Sequence, residues 1–325
     1  MRDVTGISAL NVDLLYEIND LSSIQDRGFA LLAGRECCLP PPEFSRLLAV
    51  LEQEGRLTAR SGGGSSANTM VALARMGFCT AVAGRVGRDE EGKFILQQME
   101  GVDVSHVRQE GRSGLCLVVL DRRRDRSIVV QPNTNDALTF DDFDINDVSL
   151  CRYLHLSAFA GDGPLEAQKQ LMNILPSRVK MSFDPGDLYA RRGLKENLPL
   201  VERSSIIFGT DREICILTGR DDFRAGCKQL LSVGPDVVVC KRGEEGVFLL
   251  SKEGAIEFQS RDEADVVDNT GAGDVYNAGF LAGMLLERPL RDCLGFAHRV
   301  AVKSLGGYGR ASYPNKDDLG LLEEG

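Results

Sequence analysis

Strand signals and helix signals alternate along this chain, and that alternation limits the fold more than any other feature. Runs with β character occur at 3–8 (DVTGIS), 78–84 (FCTAVAG), 153–159 (YLHLSAF), 179–184 (VKMSFD), 205–209 (SIIFG) and 236–240 (DVVVC). Helical segments are expected over 66–76, 163–175, 212–219, 222–233, 274–287 and 290–306, the first closing at Gly77. Strand–helix–strand repetition brings successive strands back in parallel. It therefore predicts an α/β fold with a mostly parallel central sheet and helices on both faces. Two stretches, 12–18 and 113–131, look like strands with no helix between them. The second turns at DRRRDR and predicts an antiparallel hairpin. These segments are expected to form a small β layer over the main sheet, drawn from about 12–33 and 112–132. TFDDFDIND (139–147) reads as a polar connector. A length of 325 residues suits one α/β domain spanning 1–325.

Composition excludes several classes of function. The formal net charge is −10 and the pI about 5.0, which argues against a nucleic-acid footprint or an anionic membrane surface. No apolar run is long enough to span a bilayer. The start, MRDVTGISAL, has no basic region followed by an apolar one, so no signal peptide is expected. Nine scattered cysteines without a C-x-x-C read as reduced thiols of a cytoplasmic protein. His106, His155 and His298 lie too far apart for metal-ligand spacing. There is no G-x-S-x-G elbow and no G-x-G-x-x-G after the first strand. GRDEEGKF (87–94) comes near a phosphate loop. However, Phe94 replaces the metal-binding hydroxyl, and Asp89, Glu90 and Glu91 would repel a phosphate.

The stretch that points to chemistry is VVDNTGAGDVYNAGF (266–280). A helix start presents backbone N–H groups and a partial positive charge. Glycines before it let the backbone wrap an anion closely. Gly271, Ala272 and Gly273 would thus hold a phosphate or a developing negative charge. Asp274, in the first helical turn, would repel that anion unless it accepts a proton from a hydroxyl attacking phosphorus. The plainer alternative is a glycine turn with Asp274 as an N-cap.

Asp268-Asn269-Thr270-Gly271-Ala272-Gly273-Asp274 resembles the D-T-x-G-A-G-D signature of the ribokinase-like (PfkB) family of carbohydrate and nucleoside kinases, with Asn269 in place of the usual Thr. SGGGSSANTMVALARMG (61–77) resembles that family's second signature, Gly-Gly-x-x-Ala-Asn at a helix start. Gly63, Gly64 and Asn68 stand in the matching places. The likeness runs from Asp3 to about Tyr308. It implies a ribokinase-like fold with a small β lid, and ATP-dependent transfer of the γ-phosphoryl group to a hydroxyl. Asp274 would be the base and the Gly271–Ala272–Gly273 loop an anion hole.

By the same resemblance, Asn11, Asp13, Gly63, Gly64 and Asn68 would meet substrate hydroxyls. For Asp13 an exposed strand-end carboxylate is the alternative. Asp184, in FDPGDLYARRG, would end a central strand. Thr210 replaces a family Asn in GTDREICILTG, while Glu213 remains to hold magnesium indirectly. Lys241 and Gly243 of CKRGEEGV, together with Thr270, fall on the nucleotide side. His298 follows Ala297 where the family commonly has Asn near the purine, with a helix-surface or core role as the alternative. The expected cofactors are ATP and Mg2+. The family often binds a monovalent cation near Asp268, which makes K+ an expectation that local residues do not decide. The expected substrate is a small sugar. The alternatives are an adenosine-type nucleoside kinase and a catalytically silent sugar- or nucleotide-binding regulator on the same fold. A nucleoside would need an apolar platform, for which Leu15, Tyr16, Leu115 and Leu117 are the candidates. A sugar phosphate would need cations such as Arg122, Arg123, Arg124 and Arg126, for which a solvated turn is the alternative. Lid pairing would make a homodimer.

Overall fold

Neighbouring residues of the central strands pack into opposite layers. Val237 and Val239 enter one core, Val238 and Cys240 the other; Ile206 and Phe208 likewise oppose Ile207. A strand apolar at every position can be buried only between two layers of helix, and this is the arrangement observed. The computed structural model describes residues 1–29, 31–122, 126–259 and 266–322. The described strands, in chain order, are β1 (Arg2–Ile7), β2 (Asn11–Glu17), β3 (Arg35–Cys38), β4 (Arg56–Gly63), β5 (Thr80–Val86), β6 (Val102–Gln109) and β7 (Gly114–Leu120). Then follow β8 (Arg126–Gln131), β9 (Cys151–Ser157), β10 (Lys180–Asp184), β11 (Ile206–Thr210), β12 (Val237–Lys241), β13 (Val247–Ser251) and β14 (Gly254–Phe258).

Nine strands form the large sheet in the order β14-β13-β12-β11-β10-β9-β1-β5-β6. Seven of them, from β12 to β6, run parallel, and β13 and β14 add an antiparallel edge. One face carries helices Ser65–Arg75, Ala272–Leu285 and Leu290–Ser304; the other carries Asp162–Ile174, Gly193–Arg203, Asp211–Thr218 and Phe223–Val233. This is the α/β architecture expected from the alternation. Among the described residues no helix is long and apolar enough to cross a membrane.

A second sheet has five strands in the order β3-β8-β7-β2-β4. The predicted pairing of 113–131 is present as antiparallel β7 and β8. Strands β3 and β4 lie outside the stretches 12–33 and 112–132. They carry polar or charged residues where a strand signal would be apolar. One face of this sheet packs Leu117, Val119 and Tyr16 beneath helix Pro41–Glu54 through Phe44, Leu47 and Leu51. The opposite face presents Cys116, Val118 and Val130. The segment 139–147 is not merely a polar connector. It forms a 3-10 turn, Phe140–Asp142, and a short helix, Ile145–Val148, and the buried Asp142 carboxylate pairs with Arg85 of β5 at 3.1 Å.

Helix Ala272–Leu285 is apolar nearly all round because it is enclosed by the sheet and by the helices on either side of it. Its approach to helix Leu290–Ser304 is set by glycine. A Cβ at Gly279 would lie 2.6 Å from Val300 and 2.7 Å from the Ala297 backbone. Gly279→Ala is therefore expected to cost about 1–3 kcal/mol, read as a lowered urea midpoint. An unchanged midpoint would show that the two helices can separate freely.

Candidate active site

Strand ends deliver the charged side chains. Asp184, Thr210 and Lys241 close β10, β11 and β12, three neighbouring parallel strands, so they share the C-terminal edge where ligands of such sheets bind. Lys241 Nζ donates to Asp184 Oδ2 at 2.8 Å and to Asn277 Oδ1 at 3.1 Å, and Asn277 Nδ2 donates to Asp184 Oδ2 at 2.7 Å. Burial opposes the Asp184 charge, yet Lys241 and Asn277 hold its pKa down to about 2. Burial likewise opposes the Lys241 ammonium, and Asp184 and Glu213 hold its pKa above the ordinary value.

Thr210 and Glu213 start helix Asp211–Thr218 as a reciprocal cap. Glu213 N–H donates to Thr210 Oγ1 at 3.2 Å, and Thr210 N–H donates to Glu213 Oε2 at 2.7 Å. Threonine in place of asparagine here is a helix-starting residue. Burial, with the Asp184 charge second, raises the Glu213 pKa.

Two helix starts meet across the site. Gly271, at φ +78°, caps helix Ala272–Leu285; a side chain there would come within 2.5 Å of the Tyr313 hydroxyl. Asp274 is thus not the N-cap but lies one turn inside. Its carboxylate accepts from Ser65 Oγ at 2.6 Å and from Asn68 Nδ2 at 2.8 Å, both in the first turn of helix Ser65–Arg75. Burial pushes Asp274 up to about 6, with those two donors pulling it back. A Cβ at Gly273 would sit 3.4 Å from Lys241 Nζ, so the ammonium stands beside this helix start.

The glycine pair ahead of Asn68 is needed for close packing. Gly64 sits at φ +105°, where a Cβ would lie 1.9 Å from the Ala9 carbonyl, and a Cβ at Gly63 would strike the Asp13 carboxylate at 2.0 Å. Asp13 is consequently not an exposed strand end. Its Oδ1 is buried without a hydrogen-bond partner, and burial pushes its pKa to about 7 against the pull of Arg310. Asn11 Oδ1 accepts from Asn135 Nδ2 at 2.9 Å, and Asn135 also clamps both backbone groups of Leu10. Each oxygen of Asp268 accepts one backbone N–H, from Thr270 at 2.8 Å and from Gly309 at 3.0 Å.

These elements enclose a cavity of about 580 Å3. Asn11, Asp13, Gly64 and Asn68 line one part of it, and Thr210, Glu213, Lys241 and Gly243 line another; Thr270, Gly271, Gly273 and Asp274 lie on its wall. Ala272, Gly63 and His298 are not on that wall: Gly63 backs Asp13, and the His298 ring lies 5.7 Å from Phe258. The face of the second sheet toward the cavity carries Cys116, Val118, Ile128 and Val130. Of the residues expected as an apolar platform, Tyr16 and Leu117 belong to the opposite face, under the helix. Both faces of these strands are apolar, so their parity could not be read from the sequence. The edge of the second sheet meets the cavity rim through Arg35 on Asp187 at 3.3 Å and Arg126 on the Asn269 carbonyl at 3.2 Å. Arg123 and Arg124 lie outside the described residues. A small chamber behind Asp13 and Asn68 is bounded by Asp268, Thr270, Arg310 and Tyr313. There Thr270 Oγ1 and Arg310 Nη2 are buried without partners.

Sequence reasoning missed Ser65, Asn135, Asn277 and Arg310. Ser65 and Asn277 stood inside the two motifs already singled out. Asn135 and Arg310 carry no local signal, since neither belongs to a spacing pattern. Among the described residues, no three histidine, cysteine or acidic side chains gather as a metal cage. Asp184 and Glu213 instead place carboxylates on the cavity wall next to a cation and a helix start. That arrangement suits a phosphate chain carrying its own divalent ion better than a dedicated metal site.

A family model described as pfkB family carbohydrate kinase matches residues 45–317. A sugar kinase of uncharacterised specificity from Archaeoglobus fulgidus is 34% identical over 251 residues, spanning 76% of this chain and 99% of that protein. Among solved structures, an adenosine kinase from Sinorhizobium meliloti superposes with a TM-score of 0.89 at 20% identity, over 100% of this chain and 99% of the other. A ribokinase from Thermotoga maritima superposes with a TM-score of 0.77 at 18% identity over the whole of both chains. With its ribokinase-like fold, two glycine-led helix starts and matched family model, the chain belongs to the pfkB family of carbohydrate kinases.

Proposed function

We propose that the enzyme transfers the γ-phosphoryl group of ATP to a hydroxyl of a small sugar, with Asp274 as the general base. One observation carries this reading. Asp274 is a half-buried carboxylate on the cavity wall, at a helix start, with its pKa raised to about 6. A carboxylate in the usual range would be a poor proton acceptor; one near 6 is ionised at neutral pH and basic enough to take a hydroxyl proton as its oxygen attacks phosphorus. Gly271, Ala272, Gly273 and the helix dipole favour negative charge on the group in transfer, and Lys241 stands beside them. Asn11, Asp13, Gly64 and Asn68 hold the acceptor's hydroxyls, with Gly63 leaving room for Asp13. Thr210, Glu213, Gly243 and Thr270 lie on the nucleotide side, with His298 behind the Phe258 edge. Mg2+, held on the phosphates with Glu213 acting through water, would supply charge neutralisation. K+ beside Asp268 would use the lone pairs left over by its two N–H donors.

The five-stranded sheet acts as the lid, excluding water through its apolar inner face. A homodimer through this sheet is part of the reading, supported by half-exposed Leu57 on its edge strand β4. So is a cytoplasmic location, supported by nine unpaired cysteines. A nucleoside acceptor is the second reading, favoured by the wall of Val118, Ile128, Val130 and Phe159.

ADP release measured against a panel of sugars, sugar phosphates and nucleosides separates these readings by naming the acceptor. Asp274→Asn is expected to lower kcat by about 10²–10⁴-fold while ligand binding persists. Binding without acceptor-dependent ADP release in the unmodified protein would instead establish a silent regulator. The pH dependence follows with a definite sign. Below about 6 Asp274 gains a proton and can no longer accept one, so kcat/KM is expected to fall about tenfold per pH unit on the acid side and to level off above. A flat profile from pH 5 to 8 would remove Asp274 from the proton transfer.

A further inference from the structure

Both ends of the Asn68 amide are engaged. Nδ2 donates to Asp274 Oδ2 at 2.8 Å, and Oδ1 accepts from Arg310 Nε at 3.0 Å. Arg310 comes from the segment after the last long helix and is 5% exposed. It is held firmly: Nη1 donates to the Gln98 carbonyl at 2.9 Å, and Arg75 Nη1 donates to the Arg310 carbonyl at 2.6 Å. A guanidinium has donors only, so it can face the oxygen of the amide and never its NH2. We infer that Arg310 is a positioning residue for phosphoryl transfer: it fixes the Asn68 amide with its NH2 toward Asp274 and so keeps the base ionised. The inference rests on the reading of Asp274 as the general base.

The physical content is a choice between two amide orientations. Without Arg310 the amide can turn over, bringing its carbonyl against the carboxylate. Two acceptors then face each other, and the contact is relieved when Asp274 keeps a proton and donates it. The base would be protonated at a higher pH and only partly available at neutrality. The other groups that act on Asp274 are the Ser65 hydroxyl, Lys241, Asp184, Asp13 and Tyr313. Arg310 also acts on Asp274 and Asp13 directly through its charge. Arg310 Nε is thus the donor that occupies the Asn68 oxygen.

The test is the pH profile of kcat/KM for the acceptor found above, in Arg310→Met, Arg310→Lys, Asn68→Leu and the double variant Asn68→Leu/Arg310→Met, with Asp274→Asn alongside. Arg310→Met is expected to move the acid limb upward by about one unit, which lowers kcat about twofold at pH 7 and about tenfold at pH 5, and to recover at alkaline pH with KM for ATP unchanged. Arg310→Lys, which keeps a donor, is expected to restore part of the shift. The Arg310 charge also acts directly on Asp274 and Asp13, so in the Asn68→Leu background Arg310→Met is expected to add a clearly smaller shift than it causes in the unmodified protein. A loss of activity equal at every pH, or an Arg310→Met shift as large in the Asn68→Leu background as in the unmodified protein, would overturn the inference. Should Arg310→Met fail to fold, Asn68→Leu carries the test alone, and an unmoved acid limb there overturns it. Turnover retained in Asp274→Asn would instead sink the general-base reading. An inactive Asp274→Asn with an unmoved limb in Arg310→Met sinks only the role of Arg310.

Discussion

A single carboxylate sets the terms for the rest of the site. Asp274 is half-buried on the cavity wall, where its charge is disfavoured, and two donors from another helix offset part of that cost. For Ser65 and Asn68 to reach it, helices Ser65–Arg75 and Ala272–Leu285 must bring their N-termini together. That meeting requires Gly64 to adopt a left-handed conformation against the Ala9 carbonyl, and Gly271 to leave room for Tyr313. It also requires helix Ala272–Leu285 to be wedged against its neighbour at Gly279. These three glycines therefore serve one geometric purpose, the close approach of backbones around one acid.

The charges near Asp274 are arranged so that they do not neutralise it. Lys241 is satisfied by Asp184 and Asn277, which keeps the ammonium fixed beside Gly273 instead of collapsing onto Asp274. Glu213 is turned back onto the start of its own helix. Asp184, Lys241 and Glu213 each have a partner of their own, which offsets the cost of burying their charge. The result is a cavity with a fixed cation, a helix start and a basic carboxylate on separate parts of its wall. That separation is what a transferring phosphoryl group and an incoming hydroxyl require.

The second sheet shows why some of the fold was readable and some was not. The hairpin 113–131 was legible because two apolar runs flank a charged turn. Its inward face was not legible, because LCLVVL is apolar at every position and only the packing of helix Pro41–Glu54 against Leu117 and Val119 decides the parity. Strands β3 and β4 went unseen because RECC and RLTARSGG have the composition of loops. They become strands through pairing with β8 and β2, at the edges of a sheet already formed. Asp142 looked like part of a solvated connector until Arg85 was found against it.

The sequence by itself determined the alternation of strand and helix, the parallel sheet that follows from it, and the two glycine-led helix starts, because these depend on local periodicity and on backbone freedom at particular positions. It also marked Asp274, since a carboxylate one turn into a helix behind Gly-Ala-Gly is a local pattern. Tertiary structure alone decided which side chains complete the site. Arg310 lies 242 residues from the Asn68 it contacts, Asn135 lies 124 from Asn11, and no spacing rule joins them. Their roles arise from chain crossings, and so do the burial that raises Asp274 and Asp13 and the pairing that lowers Asp184. Periodicity is a property of a segment, whereas desolvation and hydrogen-bond geometry are properties of everything packed around it.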